Sequence, residues 1–208
     1  MKEYKFKIGG KDYAVKIGEA NGRNLTVNVN GADYQVELSE TPDQVGGDAP
    51  GLTHAEDWKL ETEGWSLWGS SAGGHLVASF CTEEWDTPKP AALLLIYPVV
   101  TMGEHTHIQS RENLLGKKPD PQMIERLSVE KHISSGFPPT FVWNGKADTL
   151  VDPINSRMLE TALERAGIPH LAEEYEGIEH GAGLALGTNA EPWFEHAVAF
   201  WEQQRSKR

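Results

Sequence analysis

From residue 2 to residue 38, apolar and polar positions alternate with period two. Tyr4, Phe6 and Ile8 share one parity, as do Tyr13, Val15 and Ile17, then Leu25, Val27 and Val29, then Tyr34, Val36 and Leu38. Turn signals fall between these groups at Gly9-Gly10, Asn21-Gly22 and Asn30-Gly31, the last a strong two-residue hairpin signal. The pattern predicts four short antiparallel strands, one face of which is apolar and must pack on something. Residues 41–51 carry two prolines and three glycines around one valine, and read as a linker. Beyond them the pattern changes to apolar runs at 65–68, 91–100, 140–143 and 170–175, separated by helical spacing. Such alternation predicts a mostly parallel sheet with helices on its faces.

Three helices are well marked at their starts. Asp152 caps one beginning at Pro153, with Ile154, Met158, Leu159, Ala162 and Leu163 as its apolar stripe and Gly167 with Pro169 as its stop. Pro121 opens a shorter one, and Pro192 opens the last, whose Trp193, Phe194, Ala197, Val198 and Trp201 read as core. The stretch 101–139 is long for a connection and predicts a lid. The resulting organisation is a meander over 1–40, a linker over 41–51 and an α/β domain over 52–208.

Composition narrows the function. A net charge of −12 repels polyanions, which argues against a nucleic-acid or anionic-membrane surface. Cys81 is the sole cysteine, so neither an intrachain disulfide nor a thiolate metal site is available, and its place on the helix after residue 71 predicts burial. The first residues alternate instead of forming a continuous apolar core, and no segment approaches a membrane span; a cytoplasmic location is the expectation.

The chemistry concentrates at Gly69-Ser70-Ser71-Ala72-Gly73-Gly74-His75. An apolar run enters this stretch and a helical pattern leaves it, the setting in which Gly-x-Ser-x-Gly forms a nucleophile elbow. Small residues are expected two before and two after the nucleophile, and Gly69 and Gly73 fill those places, which selects Ser71 over Ser70. A serine hydroxyl needs a base oriented by a carboxylate. Asp148, just past the run 140–143, and His180, after the run 170–175, supply both in the order Ser, Asp, His. The backbone N–H of Ala72 is the expected oxyanion donor. His75, one turn on, is expected to pack or to line the pocket wall, and His105 and His107 read as surface histidines without a third metal ligand.

Two resemblances add to this reading. Val29-Asn30-Gly31-Ala32-Asp33-Tyr34-Gln35-Val36-Glu37-Leu38 resembles the leading segment of biotin carboxyl carrier proteins, although the Met-Lys-Met hairpin that carries biotin is absent. Gly-x-Ser71-Ala-Gly-Gly-His-Leu, the stretches 97–102 and 110–116, Gly-x-Ala-Asp148 and His180-Gly181 together resemble acetylxylan-esterase-like α/β-hydrolases. That resemblance implies hydrolysis of acetyl or feruloyl esters of plant polysaccharides, or of small esters, without cofactor or metal. It carries the nucleophile to Ser71, the acid to Asp148, the base to His180 and one oxyanion N–H to Ala72.

The family's His-Gly-Gly oxyanion loop is absent from this sequence, and the space before the elbow holds the meander. The expectation is therefore a partial α/β-hydrolase, its exposed sheet edge covered by the meander or by a second copy in a homo-oligomer. Losing one oxyanion donor costs about a hundredfold to a thousandfold in turnover, so a weakly active or noncatalytic protein stands as the alternative to an esterase of small-molecule or oligosaccharide esters.

Overall fold

The computed structural model describes residues 2–8, 11–17, 24–37, 63–83 and 89–207. The chain divides into two compact units, Met1–Trp58 and Lys59–Arg208. In the first, strands β1 (Lys2–Ile8), β2 (Lys11–Ile17), β3 (Asn24–Val29) and β4 (Ala32–Glu37) form an antiparallel sheet in sequential order. The register follows the alternation: Tyr4 lies opposite Val15, Val15 opposite Val29, and Val27 opposite Tyr34. Asn30 and Gly31 turn at φ 50° and 90°, the two left-handed residues that a type I′ hairpin requires. The turn signals at Gly9-Gly10 and Asn21-Gly22, Leu38 and the linker over 41–51 lie outside the described residues.

The second unit contains a parallel sheet of β5 (Ser66–Ser70), β6 (Ala92–Ile96), β7 (Thr140–Gly145) and β8 (His170–Tyr175), in that spatial order. The helices are α1 (Ala72–Thr82), α2 (Ile108–Leu115), α3 (Pro121–Arg126), α4 (Ile154–Ala166) and α5 (Trp193–Arg205). Every residue of β6 is buried because both of its faces are covered. Leu94 and Ile96 join Phe141, Trp143, Trp193, Ala197 and Phe200 in one core. Leu93 and Leu95 join Val142, Ala78 and Cys81 of α1, and Leu159 and Leu163 of α4, in the other. A helix-covered parallel strand needs apolar side chains on both faces, which is why β6 reads as a continuous run and the meander strands alternate. Burial pushes the Cys81 thiol up to about 12, so this cysteine is an inert core residue.

Two boundaries differ from expectation. The apolar run 91–100 yields a strand only as far as Ile96; Tyr97 takes φ 39° and ends it, and Val99 and Val100 are buried in an irregular segment. Proline at 98 removes a ladder donor, so a strand could not have continued cleanly. The stretch 101–139 is built of α2, α3 and a 3₁₀ turn at Val129–Lys131. α2 buries none of its residues, so it carries no apolar stripe by which periodicity could announce it. α4 behaves as expected: Asp152 Oδ1 accepts the Ile154 N–H at 2.9 Å, and Gly167 closes the helix at φ 69°. Among the described residues, no helix is long and apolar enough to cross a membrane.

Candidate active site

Ser71 stands between the end of β5 and the start of α1 with φ 53° and ψ −124°. A non-glycine residue avoids this region unless its surroundings impose it. They do so here: Ser71 N–H donates to the Ile96 carbonyl at 3.0 Å, and the Ser71 carbonyl accepts Gly74 N–H and Val99 N–H, each at 3.0 Å. Although Ser71 occupies the N-cap position, its side chain makes no capping bond, which leaves Oγ available. Ala72 opens the helix, so its N–H lies outside intrahelical pairing and beside the serine.

The glycine requirement falls partly elsewhere than expected. A Cβ on Gly69 would collide with the Gly73 carbonyl and Val77 Cγ2, and one on Gly74 would come within 2.7 Å of Pro98 Cβ. At Gly73 a Cβ would meet open space. Strand and helix therefore pass closely at Gly69, and helix and post-β6 segment at Gly74, whereas the position two after Ser71 is sterically free.

The loops after β7 and β8 bring the other two residues to the same end of the sheet. Asp148 is buried, and its Oδ1 accepts the N–H groups of Leu150 and Val151, each at 2.9 Å. Its Oδ2 is thereby aimed at His180 Nδ1, 2.6 Å away. A carboxylate can only accept, so Nδ1 carries the proton and Nε2 presents its lone pair to Ser71 Oγ at 2.9 Å. The two loops are tied together, with Ala147 N–H donating to the Ile178 carbonyl at 3.1 Å and Lys146 N–H to the Tyr175 carbonyl at 2.8 Å. Gly145 permits this approach, since a Cβ there would overlap the Ile178 carbonyl.

Tyr97 is a site residue that pattern reading misses. Its ring meets the His180 imidazole at 4.8 Å and 65°, and meets Trp143 edge-on at 5.3 Å. Its hydroxyl accepts the Gly183 N–H at 3.4 Å from the loop that carries His180. The available signal was the Tyr-Pro step within an apolar run, which marks a strand end and hence a position at the carboxyl edge of the sheet.

Ser70 ends β5 and is exposed. His75 is buried in α1, with Nε2–H donating to the Leu127 carbonyl at 2.7 Å. Burial lowers its pKa against the raising effects of that bond and of the Glu130 charge. It also lines a cavity between α1 and the segment that follows β6, so it both packs and forms a wall. His107 Nδ1 bonds Ser110 Oγ at 2.8 Å, and the His105 carbonyl accepts Asn155 Nδ2 at 2.9 Å. Among the described residues, a close group of metal-ligating types is Glu160, Glu164 and His170, at the opposite end of the strands from Ser71.

Residues 51–184 match the family described as alpha/beta hydrolase fold. The chain is similar to an endo-1,4-beta-xylanase B of Butyrivibrio fibrisolvens, 28% identical over 64% of this chain and 22% of that protein. It is also similar to an acetylxylan esterase of Xylanibacter ruminicola, 31% identical over 68% of this chain and 29% of that protein. The chain thus spans less than a third of the length of these curated relatives. Among solved structures, an acetyl ester-xyloside bifunctional hydrolase from Caldicellulosiruptor lactoaceticus superposes with a TM-score of 0.68 at 26% identity, covering 82% of this chain and 71% of that one. The elbow, the parallel sheet and the family match agree, and the chain belongs to the alpha/beta hydrolase fold family.

Proposed function

We propose that this protein is a serine carboxylester hydrolase acting on short acyl esters of carbohydrates. The observation that carries the reading is the unbroken chain from Ser71 Oγ to His180 Nε2 at 2.9 Å and from His180 Nδ1 to Asp148 Oδ2 at 2.6 Å. His180 takes the Ser71 proton as Oγ attacks the ester carbonyl. The oxyanion of the tetrahedral intermediate is stabilised by the Ala72 N–H at the positive end of α1. His180 then gives its proton to the departing alkoxide oxygen, leaving an acyl group on Ser71. Water, deprotonated by His180, releases the acid and restores the serine. Asp148 stays ionised and holds the imidazole tautomer throughout. No step calls for a cofactor. Carbohydrate as the alcohol is supported by the acetylxylan esterase and the acetyl ester-xyloside hydrolase among the similar proteins.

The test is hydrolysis of a short-chain aryl acetate by the purified protein, beside Ser71→Ala, with fluorophosphonate labelling of both. Turnover and labelling that vanish in the mutant support the reading. An unlabelled wild-type protein overturns it and leaves the noncatalytic alternative.

A further inference from the structure

A cavity of about 400 Å³ opens beside Ala72, between α1 and the segment that follows β6. That volume lies within the roughly 300–1,000 Å³ range of small-molecule sites, whereas the methyl of an acetyl group would fill a small part of it. Leu76, Met102, Leu114 and Leu127 supply its apolar wall. Its polar side chains are partly engaged with other protein groups. His75 Nε2 bonds the Leu127 carbonyl at 2.7 Å, Ser79 Oγ is 3.3 Å from His75 Nε2, Ser110 Oγ is 2.8 Å from His107 Nδ1, and Asn113 Oδ1 accepts from Gln109 at 2.9 Å. Among the described residues, no Asp, Glu, Lys or Arg lines the cavity, although the chain carries a net charge of −12.

We propose that this cavity is the acyl subsite, and that it takes an unbranched aliphatic acyl chain longer than acetyl. The assignment rests on the esterase reading and extends it. His180 must protonate the leaving alkoxide, so the alcohol oxygen lies against the His180 ring. The cavity reaches the site at Ala72, and Tyr97, Asp148 and His180 take no part in its lining. A sugar would leave hydroxyls unpaired against four aliphatic side chains, which costs far more than burying methylenes there gains. A charged acyl group would meet no counter-ion. An aliphatic chain meets neither penalty.

Specificity constants for p-nitrophenyl acetate, butanoate and hexanoate read the proposal directly. Each fully buried methylene raises kcat/KM by about fourfold, or roughly two-hundredfold from acetate to hexanoate. Leu76 and Leu114 are 70% and 53% exposed, so Leu76→Trp and Leu114→Trp can fill the cavity without disturbing the core. Each is expected to lower the hexanoate-to-acetate ratio at least tenfold. A series that is flat or falls with chain length, or a ratio that neither tryptophan moves, overturns the proposal. So does a tryptophan effect that appears with hexyl acetate against ethyl acetate instead, because it would move the cavity to the alcohol side. Binding to Ser71→Ala separates this failure from failure of the esterase reading. Sodium hexanoate should shift the methyl resonances of Leu76, Met102 and Leu114 where sodium acetate does not. Those shifts in a protein whose wild type hydrolyses no ester would sink the nucleophile and keep the cavity; their absence sinks the cavity whatever the turnover.

Discussion

The half-buried imidazole of His180 and the buried imidazole of His75, four residues past Ser71, take opposite characters from their surroundings. His180 donates Nδ1–H to the carboxylate of Asp148 and points Nε2 at Ser71 Oγ. His75 donates Nε2–H to the carbonyl of Leu127 and sits in an aliphatic wall. A carboxylate stabilises the imidazolium that proton transfer creates, whereas burial in an apolar setting favours the neutral ring even against the raising effect of the Leu127 carbonyl. The side chain is the same; a charged partner on one side and burial on the other decide whether it is suited to take a proton or to fill space. The loops differ accordingly. The His180 side is laced by backbone bonds between the segments after β7 and β8, and the His75 side opens on a cavity that is also lined by α2, which buries none of its own residues.

The strongest way to break this contrast is to give His180 a neutral partner as well. Asp148→Asn keeps the size and the bonds to Leu150 and Val151 while removing the charge and the tautomer control. On the esterase reading, kcat should fall about ten-thousandfold, and loss of the His180 Nδ1–H proton resonance would show that its partner is responsible. A drop below tenfold would mean that Asp148 does not orient the base.

Substitution of Tyr97 should have the next largest effect. Tyr97→Leu removes the face against which His180 rests, and a misplacement of about 1 Å costs roughly a hundredfold in kcat. Tyr97→Phe keeps the ring and loses only the bond from Gly183, so it should retain most of the activity. Equal damage from both variants would shift the role from the ring to the hydroxyl and its loop. The split between them, together with an unchanged KM, distinguishes positioning from general destabilisation.

How much of this was legible beforehand depended on whether the physical constraint is local. The meander was legible because a half-exposed strand must alternate, and Asn30-Gly31 is among the few pairs that turn with both residues left-handed. The close approach at Gly69 was legible for the same reason, since a Cβ there would strike backbone only a few residues away. Gly74 was not, because it faces Pro98, a segment that follows the next strand. The spatial meeting of Ser71, Asp148 and His180 could be anticipated from chain order and strand ends, but the second bond set of Asp148 and the ring of Tyr97 could not. They depend on how two distant loops lie against each other. The apolar cavity was invisible for a further reason. It joins one face of α1 to a helix whose own sequence is mostly polar.

The smallest effect concerns His75 and sharpens the comparison from its other side. Burial is the largest influence on its pKa and lowers it, with the Leu127 bond and the Glu130 charge opposing. The unfolded chain, with its ordinary value of 6.5, therefore binds more protons than the folded one below neutrality. The stabilising contribution of a neutral, buried His75 is fully present above pH 6.5 and declines as the pH falls from there toward the lowered folded value. If the native ring stays neutral throughout, the loss between pH 7.5 and 5.5 reaches at most about 1.4 kcal/mol. His75→Gln removes the titration while keeping a donor for Leu127, so its urea midpoint should fall less over that interval than the wild type's. An equal fall in both proteins would mean that Glu130 and the carbonyl hold the ring near its ordinary value. A steeper fall in the variant would mean that they outweigh burial, and His75 would then resemble His180 more than its apolar setting allows.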